Sequence, residues 1–119
     1  MHVLLINGSP HEKGCTYTAL SLVAGELNAA GITTEILNVG TKPVGGCIGC
    51  GGCAKGNGCV FGGVVNEAIE KARTADAFVF GTPVHYASAS GNMTSFLDRL
   101  AYAGGKYLAY KPAAICCSA

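Results

Sequence analysis

The stretch Val3-Leu4-Leu5-Ile6-Asn7-Gly8-Ser9-Pro10-His11-Glu12-Lys13-Gly14-Cys15-Thr16 decides the fold. Four branched apolar residues in a row, stopped by Asn7 and Gly8, have the pattern of a strand buried on both faces. After the polar segment, Leu20, Val23 and Leu27 recur at helical spacing and Gly31 supplies a left-handed stop. A helix is therefore predicted over about Cys15 to Ala30.

Working outward, Thr33 to Val39 alternates and reads as a second strand. A glycine- and cysteine-rich insertion, residues 40–63, precedes Val65, Ala68, Ile69 and Ala72, which share one helical face. Ala77 to Gly81 is a third strand, Met93, Phe96, Leu97 and Leu100 mark a third helix, and Ala113 to Cys117 is a fourth strand. The order βαβαβαβ implies right-handed crossovers and an α/β, doubly wound, mostly parallel sheet with helices on both faces.

The 119 residues, half of them hydrophobic, suit one domain over 1–119 and not two. A formal charge of +1 with 13% charged residues gives no basic field, so neither nucleic acid nor an acidic membrane surface is expected as a partner. The apolar runs fall far short of the roughly 20 residues that cross a bilayer. Val3 to Ile6 meets turn residues at once, unlike an export signal. The 7 cysteines are an odd number and cannot all pair internally, so a reducing, cytoplasmic compartment is expected.

In a doubly wound sheet, ligands bind beyond the carboxyl ends of the strands where strand order reverses. The loop Asn7 to Thr16 can hold a phosphate with backbone N–H groups, the helix dipole and the Ser9 and Thr16 hydroxyls. It is not a Walker loop, because Cys15 and Thr16 follow Gly14; it reads equally as a polar turn capped by a hydroxyl. The loop Thr82 to Gly91 combines a rigid Pro83, planar His85 and Tyr86, and small residues that let backbone N–H groups approach a flat ring. The alternative is that Tyr86 packs on the third helix and His85 is solvated.

Asn7-Gly8-Ser9-Pro10 with Gly14 and Thr16, Gly81-Thr82-Pro83-Val84 with Tyr86 and Ser88, and Ser95-Phe96-Leu97-Asp98-Arg99 together resemble the flavodoxin-like NADPH-dependent FMN reductase family. That family includes iron-sulfur flavoproteins and quinone reductases. The resemblance implies strand order 2-1-3-4, with a fifth strand beyond Ala119 and a polypeptide longer than 119 residues. It implies that Ser9, His11, Cys15 and Thr16 hold the FMN phosphate, with Cys15 packing beside it. Thr82, Pro83, Val84, His85, Tyr86 and Ser88 would line the isoalloxazine, and Ser118 would join the same cofactor site. Arg near His11 and Asn or Ser near Cys15 are usual in the family and absent here. The resemblance further implies NAD(P)H as donor, a small-molecule or protein electron acceptor, and a homodimer or homotetramer. The flavin carries the redox chemistry, so no catalytic acid or base is expected, and Asp98 with Arg99 reads as an exposed or domain-edge pair.

Cys47, Cys50, Cys53 and Cys59 form C-x2-C-x2-C-x5-C among glycines. Four thiolates in a loop free to adopt positive φ can wrap one metal centre, and this compact spacing favours an iron-sulfur cluster over structural zinc. Resemblance to iron-sulfur flavoproteins implies a [4Fe-4S] cluster exchanging electrons with FMN, although relatives also keep such cysteines as free thiols or disulfides. Gly49 to Ala54 fits G-x-G-x-x-A but neither follows a strand nor opens a helix, so it is treated as accidental. Cys116 and Cys117 are expected to be small core residues. Three functions stay open: an enzyme reducing flavin, quinone or another acceptor; an electron carrier without turnover; and a thiol or metal redox sensor.

Overall fold

A computed structural model describes residues 1–119. The strands are β1 (His2–Asn7), β2 (Thr33–Asn38), β3 (Ala77–His85), β4 (Ser88–Ala89) and β5 (Ala113–Ser118); the helices are α1 (Cys15–Ala29), α2 (Val64–Thr74) and α3 (Gly91–Leu108). The main sheet runs β2-β1-β3-β5, all parallel, and the two-residue β4 pairs antiparallel with the end of β3. Counting β5 as the fourth long strand, this is the predicted order.

Alternation along β1 divides the core in two. Leu4 and Ile6 join Val65, Ile69, Phe96 and Leu100 under α2 and α3. Val3 and Leu5 join Leu20 and Ala24 of α1 on the opposite face. Every β1 residue from Val3 to Asn7 is buried, which is why this strand lacks a polar side. Gly104 lets α3 approach α2, since a Cβ there would lie 2.8 Å from Cγ1 of Ile69. Lys71 of α2 donates to the Glu35 carboxylate on β2, and that carboxylate holds the lysine pKa above its ordinary value.

Two features differ from expectation. The third strand does not stop at Gly81 but continues to His85, and the chain returns through a two-residue turn into β4. Tyr86 and Ala87 make that turn with φ of 49° and 65°. Asn and Gly usually announce such a mirror-image turn, and neither occurs here. The second difference concerns Cys116 and Cys117. Cys116 is half-buried against the α1 side of the core, where burial first and neighbouring Cys117 second push its thiol pKa up. Cys117 is exposed rather than a core residue. It lies on the face of β5 turned away from α1, together with Ile115, which is 77% exposed.

Gly40, just past β2, is fixed by a closer constraint: a Cβ there would lie 2.4 Å from the carbonyl oxygens of both Gly8 and Ser9. Gly40→Ala should therefore destabilise the domain by about 1–3 kcal/mol, the usual cost of overpacking. Gly91→Ala, where the added carbon meets nothing within 4 Å, should leave the urea midpoint near wild type. Equal midpoints for the two variants would show that the loop after β2 yields freely.

Candidate functional site

The loop after β1 is shaped by one buried amide. Asn7 has no exposed surface; its Oδ1 accepts the Ser9 N–H at 3.1 Å and its Nδ2 donates to Oδ1 of Asn38 at 2.9 Å. Ser9, also buried, accepts the His11 N–H through Oγ at 3.1 Å. These bonds bend the chain back towards the start of α1, whose N-cap Gly14 offers no side-chain acceptor to the first-turn N–H groups. Thr16 is buried in that first turn, and its Oγ1 shares a 2.9 Å hydrogen bond with Oγ of Ser118 at the end of β5. His11 and Cys15 are exposed on either side.

The second predicted loop stands directly beside the first. Gly8 donates its N–H to the Gly81 carbonyl at 2.8 Å. Ser90, the N-cap of α3, accepts the Met93 N–H at 3.2 Å and donates its hydroxyl to the Gly8 carbonyl at 2.9 Å. Its own N–H goes to Oγ1 of Thr82 at 3.1 Å, and that hydroxyl donates to the Pro83 carbonyl. Beyond this buried net, Val84, His85, Tyr86 and Ser88 are exposed. Tyr86 does not pack on α3; its ring stands free at the tip of the hairpin. Its positive φ and that of Ala87 are conformations that non-glycine residues hold at a cost of about 1–3 kcal/mol each. All the sequence-predicted cofactor residues thus fall at the carboxyl end of the sheet, after β1, along and after β3, and at the end of β5.

The cysteine loop is pinned at both ends. Asn92 of α3 donates to the Gly40 and Lys42 carbonyls, both at 3.0 Å, and accepts the Val44 N–H. Asn66 of α2 clamps Cys59, accepting its N–H at 2.8 Å and donating to its carbonyl at 2.9 Å. Between these anchors Gly51 and Gly56, with φ of 72° and 80°, bracket a single 3-10 turn at Gly52–Lys55. Cys47, Cys50, Cys53 and Cys59 all line one hollow of about 540 Å³, together with Phe61, Asp98 and Arg99. No three His, Cys, Asp or Glu side chains converge on a point that would seat a single ion.

Arg99 is the residue that the sequence reading misplaced. Asp98 is exposed as expected, but Arg99 is only 8% exposed and points into the loop. Its Nε donates to Sγ of Cys59 at 3.3 Å, Nη1 to the Gly45 carbonyl at 3.3 Å and Nη2 to the Gly62 carbonyl at 2.9 Å. Burial pushes the Cys59 thiol up. The Phe61 N–H, the hydrogen bond and charge of Arg99, and the Gly62 N–H outweigh burial and hold the pKa below the ordinary thiol value. The signal was available: Arg99 follows Phe96 by three residues, on the helix face that turns inward.

The model of the family described as NADPH-dependent FMN reductase matches residues 1–119. The chain belongs to this family. It is 33% identical over 99 residues to an iron-sulfur flavoprotein of Archaeoglobus fulgidus, covering 83% of this chain and 48% of that protein. An iron-sulfur flavoprotein of Methanocaldococcus jannaschii is 30% identical over 99 residues, covering 83% and 51%. The chain therefore spans about half the length of these relatives. Among solved structures, an NAD(P)H:quinone oxidoreductase from Methanothermobacter marburgensis superposes with a TM-score of 0.73 at 21% identity, over 98% of this chain and 64% of that one. That likeness confirms the flavodoxin-like fold.

The Asn66 clamp has a direct test. Asn66→Ala removes the acceptor of the Cys59 N–H, at about 1–3 kcal/mol for the group left unpaired, and one of two donors to the Cys59 carbonyl, which keeps the Gly62 N–H. The Cys59 amide should then exchange with solvent much faster while the α1 core keeps its protection; unchanged exchange at Cys59 would mean that the clamp holds nothing.

Proposed function

We propose that the protein is an FMN-dependent oxidoreductase that takes electrons from NAD(P)H and delivers them to a quinone or another small acceptor, with a [4Fe-4S] cluster in the cysteine loop as a second redox group. The observation that carries the reading is the bridge from Ser90 to the Gly8 carbonyl, which sets a phosphate-type loop and a ring-type loop edge to edge at the switch point. The donor set suits a phosphate. The uncapped first turn of α1 offers N–H groups, and Ser9, Thr16 and Ser118 offer hydroxyls, with His11 and Cys15 at the margin. Thr82, Pro83, Val84, His85, Tyr86 and Ser88 suit the flat ring, because Val84 and Tyr86 present apolar surface with no partner of their own.

FMN, when bound, supplies the hydride and electron chemistry; the chain's residues bind it, orient it and set the polarity around it. Four thiols around one hollow, in a loop held by Asn92, Asn66 and Arg99, fit a cluster, since each cysteine of such a cluster ligates a different iron. The relatives named iron-sulfur flavoproteins support that part. The seven cysteines, an odd number that cannot all pair within the chain, support a reducing, cytoplasmic setting. Exposed Ile48, Val60, Phe61 and Tyr102 around the hollow agree with a homodimer or homotetramer.

Purified without oxygen, the protein should show both flavin and iron-sulfur absorption and oxidise NAD(P)H continuously when a quinone is added; flavin reduction that stops after one equivalent would make it an electron carrier instead. Ser9→Ala should weaken FMN binding by about 1–3 kcal/mol. Ser9→Asp should abolish it, because the carboxylate can still accept the His11 N–H and keep the turn but opposes the phosphate. Unaltered affinity in Ser9→Asp would place the phosphate elsewhere. Any single Cys→Ser change among Cys47, Cys50, Cys53 and Cys59 should strip most of the iron and leave FMN bound; wild type without stoichiometric iron would remove the cluster from the reading.

A further inference from the structure

We infer that Arg99 is a positioning residue for the thiol site: it folds the cysteine loop around the hollow and, through its bond to Cys59, makes that site easier to reduce. The inference rests on the cluster reading above for its second half only. The first half follows from contacts that need no metal.

Arg99 sits in the middle of α3, where the helix fixes its backbone, and its guanidinium reaches three separate places on the loop. The Gly45 carbonyl lies before the first cysteine, Sγ of Cys59 is the last thiol, and the Gly62 carbonyl lies beyond it. One planar, permanently charged fork therefore closes the loop upon itself. No other charged side chain in the molecule donates to a cysteine sulfur among the hydrogen bonds of the structure. The Phe61 ring lies 5.9 Å from the guanidinium carbon and covers it, which limits screening by water. Asp98 is the one carboxylate lining the hollow, and it is exposed, so its opposing charge is screened.

The electronic consequence is a matter of sign. Adding one electron to an iron-thiolate unit adds one negative charge, and hydrogen bonds to the ligating sulfurs favour the more negative state. Arg99 brings both a donor and a buried cation to Cys59, so its presence moves the potential upward and its removal moves it downward.

Three proteins decide the matter: wild type, Arg99→Gln, which keeps donors without the charge, and Arg99→Lys, which keeps the charge with a single reach. In iron-free protein, amide exchange over residues 45–62 should be several-fold faster in Arg99→Gln than in wild type, with exchange in α1 unchanged. After anaerobic reconstitution and titration with dithionite, Arg99→Gln that retains iron should have a more negative midpoint than wild type. Arg99→Lys should recover part of that shift. Iron-loaded Arg99→Gln with the wild-type midpoint overturns the electronic half. Equal loop exchange in all three proteins overturns the positioning half. A wild type that binds no iron overturns the cluster reading and the electronic half with it, while the exchange result still judges the positioning half.

Discussion

The buried side-chain amide of Asn7 is the interaction on which the rest of the carboxyl end of the sheet depends. β1 ends there between Asn38 of β2 and Gly81 of β3, its register partners on the two sides. A bare strand end at that depth would leave polar groups without water. Asn7 supplies a donor for Asn38 and an acceptor for the Ser9 N–H, so the chain can leave the sheet in a tight bend while every buried side-chain polar atom keeps a partner. The crowding at Gly8, Gly40 and Gly81 accompanies that bend: a Cβ at Gly40 would strike the Gly8 and Ser9 carbonyls, one at Gly8 the Met93 side chain, and one at Gly81 the Leu20 side chain.

On this base the structure sets two polar systems of different character. At the end of β1 and β3 the hydroxyls of Thr82 and Ser90 donate to backbone carbonyls and the Ser9 oxygen accepts the His11 N–H, which holds the loops rigid, while the Ser9 O–H, the first-turn N–H groups of α1 and the faces of Val84 and Tyr86 stay uncommitted. The proposed flavin site is thus a stiff frame with free donors on its surface. In the cysteine loop the glycines give freedom and Asn66, Asn92 and Arg99 remove it again, so the thiols owe their common hollow to helices α2 and α3 rather than to local sequence.

The first half of the fold was legible because its signals agree: a run of branched residues, a helical period and Gly31 bound β1, α1 and β2 to within a residue of the observed limits. The strand order and the gathering of Ser9, Thr16, Thr82 and Ser118 at one end followed from topology and family resemblance together. Three features were not legible, each for a physical reason. The hairpin at Tyr86 and Ala87 uses a backbone conformation that their side chains disfavour. Cys117 is apolar enough for a core but stands on the face of β5 that none of the helices within residues 1–119 covers. Arg99 looked like a surface charge because its partners, the Gly45 and Gly62 carbonyls and Cys59, are between 37 and 54 residues away along the chain.

Helix α3 carries Ser90, Asn92 and Arg99, and so it serves both systems at once. From Ser90 to Arg99 is about two and a half helical turns, and each residue added or removed between them would rotate Arg99 by about 100°. A free surface loop absorbs insertions at little cost, but the helix segment has no such latitude. Across descendants of this fold, the sequence between the cap serine and the arginine should drift in composition yet keep its length, acting as a ruler between the two polar systems.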